Sequence, residues 1–239
     1  MKSFWAVLSC CILLGGFNFA EAYAGETEVF AAANKAFHEG KWEEALASYQ
    51  TLPKTFAVLY NMGSTYFKQG QLGKAIYYFK WALQESPRDP DARFNLKYVR
   101  SKTGAAELGR PWYSYLALPL SLAEIWWIAG GILFILAVGL SWGCRGVLWI
   151  LILAIPLLAQ LGQARDFGQT AIAGQEVKVY SSPSAEGILL FTLPEGSEVR
   201  LAGHTSAAAE NWTVVELGPQ KKGWALRNQL IADAGPQQH

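Results

Sequence analysis

Apolar positions change their spacing twice along this chain, and each change marks a new kind of element. Between Phe30 and Tyr98 large apolar residues recur at three and four positions, the spacing that lays side chains on one face of a helix. Within this region Phe37-His38-Glu39-Gly40-Lys41-Trp42, with Ala45 and Tyr49, returns thirty positions later. The second copy is Phe67-Lys68-Gln69-Gly70-Gln71-Leu72 with Ala75 and Phe79. Paired antiparallel helices follow: small Gly63 and Ala75 permit close approach, Gly70 makes the turn, and Tyr66 and Phe79 fill the seam. Pro87 ends the second helix of the pair. In the first copy Ala33 stands where Gly63 does, and Pro53 cuts the second helix short. A third helix over 90–102 is expected to cover the end of the stack.

At 125–142 the periodicity gives way to 18 residues without a charge. As a helix they would cover about 27 Å, the thickness of a bilayer's hydrocarbon. A second apolar run over 147–161 is interrupted by Pro156, and a span of 147–164 allows for its short length. Ser141-Trp142-Gly143-Cys144-Arg145-Gly146 permits only a tight hairpin between the two, and Trp112, Trp126, Trp127, Trp142 and Trp149 suit interfacial belts. From Gln169 onward the period is two: Val177 and Val179, Val199 and Leu201, and Trp212 and Val214 alternate with polar neighbours. Turns at Ser181-Ser182-Pro183, Pro194-Glu195-Gly196 and Gly218-Pro219 divide the region into five expected short strands of a small barrel. The barrel is expected to fold alone, with Trp212 and Trp224 supplying much of its apolar burial.

Composition agrees with a membrane contribution, since 51% of the 239 residues are hydrophobic and only 16% charged. Net charge is +1, with no basic block interleaved with aromatics, which excludes nucleic acid as a partner. Residues 1–22 read as a secretory signal, from Lys2 through an apolar run to Ala20-Glu21-Ala22. Its removal leaves Cys144 as the single thiol, so no intramolecular disulfide is expected. With the repeat domain exported, two spans return the C-terminal domain to the same side, and Cys144 and Arg145 lie in a minimal cytoplasmic loop. The expected organisation is a signal at 1–22, a repeat domain at 23–103, a linker or interfacial segment at 104–124, spans at 125–142 and 147–164, a barrel at 169–232 and a disordered tail at 233–239.

Around the second copy, Leu59, Met62, Gly63, Tyr66, Ala75, Phe79 and Pro87 resemble the tetratricopeptide repeat, with Leu59 and Met62 replacing its usual Trp and Leu. Val177-Lys178-Val179-Tyr180-Ser181-Ser182-Pro183, Leu193-Pro194-Glu195-Gly196, Asn211-Trp212 and Gly223-Trp224-Ala225 with Leu230 resemble the bacterial SH3-like domain, whose usual Arg is Tyr180 here. The fold class is thus a multi-domain membrane protein: α-helical tetratricopeptide repeats, a transmembrane α-hairpin and a small all-β SH3-like barrel. Parts in this order resemble the BatE-like family of aerotolerance-operon proteins. That resemblance implies an envelope adaptor beside membrane proteins carrying von Willebrand A domains, and no catalytic residue.

Candidate chemistry is sparse. His38, His204 and His239 stand apart from one another and from any Cys, and Glu43 and Glu44 are neighbours on a helix that do not face each other. No nucleophile motif, metal motif or phosphate loop is present, and neither span carries an ionisable residue at its centre. No cofactor, metal or catalytic site is therefore expected. The candidate partner-binding residues are three helix-face stripes: Phe30, Asn34 and His38; Tyr60, Ser64 and Lys68; Phe94, Tyr98 and Lys102. In tetratricopeptide repeats these positions line the concave surface, and side by side they would form a trough, aromatic at one end and basic at the other. The carboxylate clamp known in such repeats is only partly echoed, by Asn34 and Asn61, because Phe30 and Asp91 replace its lysines. The occupant is expected to be an extended or helical segment with an apolar anchor and an acidic flank. The expected function is a non-catalytic, membrane-anchored adaptor on the exported face of the bacterial inner membrane, binding envelope proteins. The other expectation is a cell-wall-binding or wall-sensing protein that acts through the barrel, with peptidoglycan as a candidate ligand.

Overall fold

The computed structural model describes residues 25–108, 124, 127, 128, 130, 131, 170–202, 211–218 and 221–232. Helical residues 25–38 (α1) are followed by α2 (Trp42–Gln50), α3 (Phe56–Lys68), α4 (Leu72–Glu85) and α5 (Pro90–Thr103). Gly40 and Gly70 close the two sharp turns with φ of 77° and 76°, a region costly for any residue with a Cβ. The last helix has both ends marked in sequence: the Asp89 carboxylate accepts from the Ala92 N–H at 2.8 Å, Pro90 is its first residue, and Gly104 ends it in the left-handed conformation.

The helical core forms between the pairs as the repeat predicts. Tyr49, Leu59, Met62, Ile76 and Phe79 are fully buried, and each such side chain contributes about 1.5–3 kcal/mol. Gly63 is what lets α3 and α4 meet, because a Cβ there would lie 2.9 Å from the Phe79 ring.

Among the described residues seven strands, not five, form one antiparallel sheet: β1 (Thr170–Ala173), β2 (Val177–Tyr180), β3 (Leu189–Leu193), β4 (Glu198–Ala202), β5 (Trp212–Gly218), β6 (Lys221–Leu226) and β7 (Leu230–Ala232), in the order β3-β2-β6-β5-β4-β1-β7. Strands as short as β1 and β7 hold too few residues for a period of two to show. Val177, Val179, Leu193, Val199, Val215 and Ala225 fill the core. The tryptophans do not. Val214 pairs with Trp224 and Trp212 with Leu226 on the face opposite Val215 and Ala225, and both indoles are only partly buried. Trp212-Thr213-Val214-Val215 is apolar on both faces of its strand, so alternation alone selects no register.

Nor do the two domains stand apart as expected: they pack on each other through α4. Ile172 of β1 is buried in the helical core and Ile231 of β7 packs against it. Gly73 on α4 lies so close to the sheet that a Cβ would sit 2.5 Å from the Ala173 carbonyl oxygen. Gly196, with φ of 81°, passes Ile76 where a Cβ would meet the Ile76 methyl at 2.3 Å. Between these apolar contacts Glu198 of β4 is ion-paired to Lys80 of α4 at 3.0 Å and to Arg100 of α5. Arg100 also reaches Glu107 at 3.1 Å.

Among the described residues no helix is long and apolar enough to cross a membrane. The signal at 1–22 and the tail at 233–239 lie outside the described residues, as does most of the linker and of the two expected spans.

Candidate functional site

The first helices of the successive hairpins, α1 and α3, and the terminal α5 lie side by side, and polar rungs fix their spacing. The Tyr49 hydroxyl donates to Asn34 Oδ1 at 2.6 Å, and Asn61 Nδ2 donates to the same oxygen at 2.9 Å, joining α1, α2 and α3. Asn95 Nδ2 donates to the Tyr60 hydroxyl at 2.8 Å, joining α3 to α5. Burial pushes the Tyr49 and Tyr60 phenols above their ordinary range, so both remain neutral at physiological pH.

These bonds divide the predicted stripe residues into two groups. Asn34 braces the stack. The Ser64 hydroxyl donates to the Tyr60 carbonyl of its own helix at 3.0 Å. Tyr60 is half-buried, stacked on Phe56 at 5.8 Å and tilted against Phe79 at 5.7 Å, so it belongs to the core as much as to the groove. Phe30 likewise leans on Tyr49 at 6.0 Å.

The second group faces outward. Phe94 is 69% exposed and Tyr98 43%, their rings stacked at 6.4 Å and 9°, with Tyr98 edge-on to Phe67 at 5.8 Å. Lys102 Nζ lies 5.3 Å from the Tyr98 ring centre, and Lys68 and His38 are exposed at the same ends of their own helices. A basic residue in the last turn of a helix is favourable on its own account, through the terminal carbonyls. What the helix alone does not require is the exposed aromatic pair beside these cations. The described residues hold an exposed Phe94 and Tyr98 stack on α5, exposed His38, Lys68 and Lys102 at the ends of α1, α3 and α5, and a half-buried Tyr60 and Phe56.

Phe56, Phe67 and Asn95 are components that the stripes omit. A shift of 34 positions carries Tyr60 onto Phe94, Asn61 onto Asn95, Ser64 onto Tyr98 and Lys68 onto Lys102, and so contains the signal for Asn95. Among the described residues no three His, Cys, Asp or Glu side chains group as metal ligands.

Residues 56–89, that is α3, α4 and the turn after them, match the tetratricopeptide repeat family. No curated protein matches the chain. A repeat of this kind carries a general role in protein-protein interaction, and the chain has the helical region and antiparallel sheet domain described above.

Proposed function

We propose that the chain is a non-catalytic adaptor, held at the exported face of the bacterial inner membrane, that takes envelope proteins into the groove of its repeat domain. The observation that carries this reading is the Phe94 and Tyr98 stack. Phe94 is left 69% exposed and Tyr98, though edge-on to Phe67, 43% exposed, more aromatic surface than the stack needs, and buried aromatic anchors dominate most protein interfaces. The chemistry fits a partner segment with an apolar anchor and an acidic flank, the anchor supplying affinity and the charges tuning encounter. The order of parts supports a BatE-like role beside membrane proteins with von Willebrand A domains.

Support for an anchor comes from the uncharged residues 125–142 and from Trp127, which is helical and 83% exposed, an indole better matched to lipid than to water. Crosslinking in native membranes tests the adaptor reading. The parent should capture envelope proteins that a Phe94→Ala, Tyr98→Ala double variant does not. Equal capture by both would move the binding surface to the sheet domain. In intact cells Cys144 should resist a membrane-impermeant maleimide and react with a permeant one, as a cytoplasmic hairpin requires.

A further inference from the structure

The strand β4 receives the chain twice. After α5 the chain runs through Ala105, which packs on the helical core, to Ala106. There the Ala106 carbonyl accepts from the Glu198 N–H at 2.9 Å and the Ala106 N–H donates to the Ser197 hydroxyl at 3.2 Å. When the chain returns, Thr170 of β1 sits opposite Arg200 of the same strand. Glu198 and Arg200 are two residues apart, about 7 Å along a strand. The chain therefore leaves the fold and re-enters it at neighbouring positions of β4.

The surroundings of this neck are closed. Glu198 binds Lys80 and Arg100 with its side chain while its backbone holds Ala106, so one residue ties α4, α5, the departing chain and the sheet. Glu195, on the turn before β4, accepts from the Gly73 N–H at 2.7 Å. On the returning side β1 is locked between β4 and β7, and Ile172 is buried in the helical core. Breaking the neck would expose a part-buried ion cluster and an apolar face at once.

We infer that the repeat and sheet domains are one composite body and that residues 109–169 are an insertion clamped at its neck, so that any membrane this insertion crosses it crosses an even number of times. The membrane clause rests on the anchor proposed above; the clamped neck does not. A second consequence concerns the groove. Gly104 and Ala105 alone separate α5 from the neck, so the Phe94 and Tyr98 ledge is presented at a fixed angle to the point where the chain departs, not on a swinging tether.

Two measurements on the full chain test this, in a background where Cys10, Cys11 and Cys144 are serine. Ala47 on α2 and Ala185 on the sheet domain are exposed. Ala47→Cys and Ala185→Cys should react equally with an impermeant maleimide in intact cells. Reaction at one position and not the other means an odd number of crossings and overturns the inference. Protection of both until the cells are lysed keeps the two domains on one side and sinks only the exported location. Spin labels at the same two positions of the solubilised chain should give one narrow distance distribution, which Glu198→Ala broadens. A broad distribution in the parent would overturn the composite body, whatever the labelling shows.

Discussion

Glu195, on the turn after β3, accepts a hydrogen bond at 2.7 Å from the N–H of Gly73, 122 positions earlier in the chain, and so caps the first turn of α4. The helix needs it. No side chain of its own caps α4, and its first turn holds no acidic residue, so the carboxylate satisfies a free N–H and meets the positive end of the helix dipole. Replacing an N-cap donor's partner by alanine typically costs about 1 kcal/mol. Glu195→Ala should lower the melting temperature of helices and sheet together in a single calorimetric transition of the detergent-solubilised chain. Two separated transitions, or a sheet that melts unchanged, would show the cap to be incidental.

Glu198 is the more expensive loss. It is 90% buried at its side chain, and Lys80 and Arg100 that face it are only 17% and 18% exposed. Glu198→Ala removes the carboxylate that two part-buried cations share, of which Arg100 keeps Glu107 at 3.1 Å, and breaking a buried pair from one side costs up to about 3–5 kcal/mol. Removing all three charges with apolar residues of similar volume should recover most of that loss, since the pair's own desolvation cost disappears with it. Denaturant midpoints of the single and triple variants check the order; a triple variant no better than the single would place the stabilisation in the ion pairs themselves.

Much of the helical region is legible because its signals are local: the Gly70 turn, the Asp89-Pro90 start and the Gly63 and Phe79 contact are each written within one repeat. The helix expected over 90–102 is observed as Pro90–Thr103. The docking of sheet on helix is not legible, because Lys80 and Glu198, or Gly73 and Glu195, meet only after the chain has folded, and Pro194-Glu195-Gly196 reads in sequence as a turn and nothing more. The groove lies between these cases. Periodicity finds the exposed face of α5, yet Asn34, Tyr60 and Ser64 satisfy the same spacing and are spent on bonds inside the stack. A stripe shows which face a residue is on, not whether its polar group is free.

Alkaline pH should weaken the helical region. Burial raises the phenols of Tyr49, Tyr66 and Tyr78, the last two stacked at 5.1 Å. Below the ordinary tyrosine value of 10.0 these phenols are neutral both folded and unfolded, and stability is whole. Above it the unfolded chain releases protons that the folded chain retains, so stability falls as pH rises, by up to about 1.4 kcal/mol per pH unit for each such tyrosine. Tyr78→Phe should make that decline shallower. Phenolate absorbance of the folded protein appearing at the ordinary value would contradict the raised values directly.

The groove prediction turns on separating fold from binding, and the geometry supplies the pair of variants that does so. Tyr60→Ala removes a half-buried ring from Phe56, Phe79 and Asn95, and should cost about 2–4 kcal/mol of stability. Loss of capture in that variant would say little about binding. Phe94 is 69% exposed, so alanine there should move stability by less than about 1 kcal/mol, as for other surface changes, whereas Tyr98→Ala also removes the edge contact with Phe67 and should cost somewhat more. If the ledge anchors a partner, each should weaken capture by tenfold or more, since an anchor truncated at an interface commonly costs about 2 kcal/mol. Lys68→Glu and Lys102→Glu should weaken it chiefly at low salt, where exposed charges are least screened. Tyr60→Phe, which keeps the ring and drops only the acceptor of the Asn95 bond, should leave capture intact. A Tyr60→Phe chain that loses its partner while the Phe94→Ala chain keeps it would move the contact from Phe94 to Tyr60.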